Sequence, residues 1–95
     1  MDFGSFASAP AALQQSWKAA AESAALNNYL GAATNLMAIF GNATQLTPDQ
    51  NTALNQAWRQ LGNKAFQAAE SGDKMAADAV LKMRDSGFGK AAGER

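Results

Sequence analysis

The chain has 95 residues, eight basic and eight acidic, and a formal net charge of zero, with neither cysteine nor histidine. That length suits one domain, and the balanced charge excludes a global field drawing the protein to nucleic acid or acidic lipid. The missing cysteine excludes disulfides, and without histidine most nucleophile–base arrangements are unavailable.

Hydrophobic residues make up 47% of the chain, but many are alanines with little surface to bury. Charged residues are 17%, below the ordinary level of about 25%, and Asn, Gln, Ser and Thr fill the gap. This composition suits helices that approach closely and surfaces that repel weakly, as in an assembly subunit. Residues 1–58 carry one positive and three negative side chains, net −2, and residues 59–95 carry seven positive and five negative, net +2. Charges this sparse contribute little to any head-to-tail contact.

Residues 1–9 read as a flexible N-terminal arm of small residues carrying two aromatics, Phe3 and Phe6. The opening MDFGSFASAP has neither a basic segment nor an apolar one, so it does not read as a signal peptide. No apolar run approaches the roughly 20 residues of a membrane span. A soluble cytoplasmic protein, or one built into a larger particle, is the expectation.

Pro10 opens a first helix predicted over residues 10–40, about 45 Å long if continuous. Gly41 is the predicted left-handed residue that ends it. Its apolar pattern changes phase along the way. Leu13, Trp17, Ala20 and Ala24 form one stripe; Leu26, Leu30, Ala33, Met37 and Phe40 form another, widened by Tyr29 and Leu36. The spacing fits a straight helix that buries two faces against different surfaces. It also fits a helix bent near Ser23, although no proline or glycine stands there to force a bend.

After the loop GNATQL, residues 46–70 give the clearest helix signal. Thr47 is placed to cap, Pro48 suits the first helical position, Asp49 faces the positive end of the dipole, and Gln50 can close a capping box. Leu54, Trp58, Leu61 and Ala65 follow helical spacing and are expected to bury against the first helix. Phe66 lies off that stripe. Ser71 and Gly72 end the helix, and Asp73 caps a third over residues 73–86. Met75, Ala76, Ala79, Val80 and Met83 form its apolar stripe. Gly87 and Phe88 read as a Schellman ending, and residues 89–95 as a flexible tail.

The expectation is therefore all-α: a small three-helix bundle over residues 10–88, with a long first helix, an antiparallel second, a short third and flexible tails. An internal similarity fits chance in an alanine-rich chain better than a duplicated helix pair. ALQQSWK at 12–18 matches ALNQAWR at 53–59, and each is followed by AAES, after a seven-residue insert in the second copy.

No catalytic, cofactor or metal residues emerge: the acids are scattered, and glycine patterns that cradle phosphate are absent. The basic residues of the second half alternate with acids and form no stripe, which argues against nucleic acid. A membrane-surface role lacks its basic amphipathic helix. The expected function is a non-catalytic structural or assembly subunit that self-associates through its charge-poor first helix. Phe3, Phe6, Leu13, Trp17, Leu26, Leu30, Met37 and Phe40 are the candidate interface. The alternatives are a monomeric adaptor or regulator that binds one protein partner, and a nucleic-acid-associated helical protein.

The size and helix–loop–helix layout resemble small secreted helical hairpins of the WXG type. The loop here reads Phe40-Gly41-Asn42, with no Trp-x-Gly, so no function carries over. Small secretion-apparatus subunits and minor virion proteins are similar in composition style.

Overall fold

A computed structural model describes residues 6–86. Among the described residues there are four α-helices and no strand: α1 (Ala11–Ala25), α2 (Tyr29–Phe40), α3 (Pro48–Glu70) and α4 (Lys74–Ser86), with a 3-10 turn at Ala43–Gln45. The fold is all-helical as expected, but the long first helix is two helices.

The break is made by two asparagines. At the end of α1, Asn27 takes φ 62. Its N–H donates to Ala24 O (3.0 Å), and the Asn28 N–H donates to Ser23 O (2.8 Å). This is a Schellman ending with asparagine in the left-handed position usually held by glycine. The next residue starts α2: Asn28 Oδ1 accepts from the Gly31 N–H at 3.0 Å. An added Cβ at Gly31 would lie 2.6 Å from Asn28 Nδ2, so a larger residue there would displace the capping side chain. The Tyr29 hydroxyl donates to Asn27 Oδ1 (3.3 Å), holding the turn from its buried side. Asn27→Ala should cost about 1 kcal/mol, since alanine pays more for a left-handed backbone, whereas Asn27→Gly should be near neutral. Paired thermal melts check this, and equal losses for both variants would mean that backbone conformation at 27 is not the cause.

The break lets the two apolar stripes fold onto one core. Leu13, Trp17 and Ala20 from α1 and Tyr29, Ala32, Ala33, Leu36 and Ile39 from α2 are all buried. The stripes are out of phase because each belongs to its own helix. Helix α2 packs against α1, α3 and α4, and so sits at the centre of the bundle. Leu54, Trp58 and Leu61 are buried as expected, but α3 packs chiefly on α2 and α4 rather than on α1. Phe40 meets Trp58 edge-on, with ring centroids 5.2 Å apart.

Gly41 is not left-handed: it has φ −63, and α2 ends by a different route. The Asn42 N–H donates to Ile39 O (2.9 Å) and its side-chain amide to Ala38 O (3.0 Å), which satisfies the last carbonyls without a positive φ.

The start of α3 follows the sequence closely. Thr47 Oγ1 accepts from the Gln50 N–H (3.1 Å), and Gln50 Oε1 accepts from the Thr47 N–H (3.0 Å). Thr47→Ala should lower stability by about 1 kcal/mol, read as a melting point about 4–8 °C lower. No change would mean that Gln50 alone holds this end. The α3 terminus is a second Schellman motif: Gly72 takes φ 106, its N–H donates to Ala69 O (3.0 Å), and the Asp73 N–H donates to Ala68 O (3.0 Å). Asp73 then caps α4, its Oδ1 accepting from the Ala76 N–H at 3.1 Å. Ala76, Ala79 and Met83 are buried and Val80 is half-buried, but Met75, one residue before Ala76, points to the side of the covered face and is exposed. The expected endings at Gly87 and Phe88 and the tail at 89–95 lie outside the described residues.

The four helices form two consecutive hairpins. ALQQSWK lies in α1 and ALNQAWR in α3, and each AAES falls near its helix's C-terminal end. Helix α3 is 23 residues and α1 is 15, a difference of eight.

Candidate functional site

Residues 6–10, just ahead of α1, form a short docked turn; the rest of the expected N-terminal arm lies outside the described residues. The Phe6 ring is buried and stacks on Trp17, with centroids 4.1 Å apart and planes 12° apart. Gln14 Nε2 donates to Ala7 O (3.0 Å) and Ala9 O (2.7 Å). Gln50 Nε2 donates to Ser8 Oγ (3.2 Å), tying the turn to the start of α3. This explains why Gln50, the buried polar residue among those described, is only 2% exposed: all its side-chain polar atoms have partners. The capping box could be read from sequence, but the link across 42 residues to Ser8 could not.

Beside this turn lies a groove of about 340 Å³, walled by Phe6, Trp17, Ala11, Gln14 and Lys18. Among the described residues, Lys18 is the ionisable side chain on its wall. No group of three acidic side chains is placed to hold a metal ion among the described residues. Among the same residues, no helix is long and apolar enough to cross a membrane.

The candidate interface residues divide sharply. Phe6, Leu13 and Trp17 lie in the chain's own core and are closed to a second molecule while this fold holds. For Leu13 and Trp17 the physical reason is the break at Asn27, which folds α2 against α1, while Phe6 is seated by its stack on Trp17. Leu30, Met37 and Phe40 are half-buried, packed against the core at its edge. Leu26, in the turn, is 80% exposed. Phe3 lies outside the described residues.

What reaches the surface along α2 is a neutral strip. Leu30, Thr34, Met37 and Gly41 follow one another at steps of four, three and four residues and so share a face, with Ala38 beside it, four residues after Thr34. Thr34, Ala38 and Gly41 are exposed. The polar groups here are already engaged: Thr34 Oγ1 donates to Leu30 O (2.9 Å), Asn35 Nδ2 to Gly31 O (3.0 Å) and Asn42 Nδ2 to Ala38 O (3.0 Å). Covering such a face strands few donors, which lowers the desolvation cost of contact. Phe66, Met75 and Leu81, each about half exposed, lie singly on the charge-bearing helices α3 and α4. The helical spacing of α4 hid the exposure of Met75, because its apolar set is wider than the face that α3 and α2 can cover. Compared with models of known protein families, with curated proteins and with solved structures, the chain matches none.

Proposed function

We propose that this protein is a non-catalytic structural or assembly subunit that works by contact with another copy of itself, through the uncharged side of α2 and the turn at Leu26. One observation carries the reading. Residues 23–48 contain no Asp, Glu, Lys or Arg, yet part of that stretch lies at the surface, with Leu26 and the strip from Leu30 to Gly41. A surface that must only stay dissolved gains from charge. A neutral face with engaged donors and apolar edges suits contact with a like face, where charges of one sign would repel. The contact area of one 12-residue helix is small, so the association is weak.

The alternative is a monomeric adaptor for one different protein. Phe66, Met75 and Leu81 favour it, since they sit among charges that a partner of another sequence could complement. Light scattering or sedimentation at rising concentration separates the two. Wild type should exceed 9.9 kDa at high concentration, and Thr34→Glu, at an exposed site, should return it to monomer while it stays helical. A chain that stays monomeric up to about 1 mM, a free energy of association weaker than about −4 kcal/mol, would remove the self-association reading and leave the adaptor.

A further inference from the structure

We propose that the partner at this face is a second α2 running antiparallel to the first across a two-fold axis, with Leu30 set against Gly41 and Thr34 against Met37. The inference rests on the self-association reading and adds its geometry. Charge complementarity gives the direction. Helix α2 has no acidic side chain in its first turn and none that is basic in its last, so both ends of its dipole lack a compensating charge on the helix itself. An antiparallel copy sets its negative end beside the first helix's positive end, and the reverse, whereas a parallel copy stacks like ends together. A symmetric dimer needs a patch that complements itself, and shape points to the same register. Bulky Leu30 and Met37 alternate with small Thr34 and Gly41 along the strip. Turned end for end, the sequence places each bulky residue opposite a small one, as close helix packing requires. In that register the axis passes between positions 35 and 36.

The absence of cysteine makes the geometry directly testable. Leu30→Cys and Gly41→Cys are made as single variants and mixed under mild oxidation. Gly41 has an ordinary helical backbone, and an added Cβ would meet Ala38 O at 3.5 Å, ordinary contact, so the variant should keep its fold. Circular dichroism checks both chains. The mixed 30–41 disulfide should form about tenfold or more faster than the 41–41 disulfide, because two copies of position 41 lie about 16 Å apart along the axis in this register, beyond disulfide reach. In parallel, Thr34→Arg, which needs no oxidation, should abolish the dimer, while Ala12→Arg on α1 should leave it unchanged. Fast 41–41 and 30–30 linkage with slow 30–41 linkage would show parallel pairing and overturn the inference. A wild type that dimerises with no preferred disulfide would also overturn it, while leaving the self-association reading intact. A wild type that never dimerises would remove both.

Discussion

Trp17→Ala is expected to lower stability by about 3–5 kcal/mol, the range for removing a buried tryptophan and leaving its cavity. Trp17 is 1% exposed and is one face of the aromatic stack with Phe6. Its loss therefore acts twice. The core loses its largest side chain on α1, and the N-terminal turn loses the ring that seats it. Stacked aromatic pairs add about 0.5–1.5 kcal/mol beyond area, and the Ser8–Gln50 and Gln14 hydrogen bonds depend on the turn staying seated. Small domains are stable by roughly 5–15 kcal/mol, so this one substitution removes a large share. The melting point should fall on the order of 20 °C, with Trp58 left as the fluorescence reporter. Lys18→Ala, one residue along and exposed, should stay within about 0.5 kcal/mol of wild type. A Trp17→Ala protein that melts like Lys18→Ala would show that the stack lies outside the cooperative core.

Helix α3 was legible because its signals are local. Thr47, Pro48 and Gln50 specify its start within four residues, and Gly72 its end. The break between α1 and α2 was harder, because the usual breakers, proline and glycine, are absent from 23–30. The signal was the dipeptide Asn27-Asn28. Asparagine tolerates a left-handed backbone and also caps helix starts, so two in a row end one helix and begin another. The phase change in the apolar stripes pointed to the same place, since a stripe that jumps by more than a quarter turn needs either two covers or a break. The interface residues split for that reason: Leu13 and Trp17 are free for a partner only if α2 does not fold back over α1, and it does. The neutral face of α2 survives the correction because it depends on which residue types are missing, not on helix continuity. The hold of Gln50 on Ser8 was beyond reach of any local reading, as it joins segments brought together only by the whole fold.

Two leucines ten residues apart measure the consequence of that break. Leu36→Ala should cost about 2–5 kcal/mol, and Leu26→Ala should stay within about 0.5 kcal/mol of wild type. A continuous helix puts both on the widened second stripe, where their burial would be similar. The structure instead leaves Leu26 at 80% exposure in the turn and takes Leu36 to 0% at the centre of α2. Helix α2 packs on the three others, so a cavity at 36 is walled by elements that cannot all close on it, which puts the cost towards the upper part of the range. At 26 there is no cavity to make. Alanine there even favours continuation of the helix, so any change tests whether Asn27 and Asn28 alone hold the break. Denaturant midpoints for the two variants, with slopes unchanged from wild type, give the comparison. Equal losses at 26 and 36 would require Leu26 to be covered, either by a continuous first helix or by a second copy seated on the turn. Repeating the Leu26→Ala measurement at low and high protein concentration separates these, because only a second copy makes the loss grow with concentration.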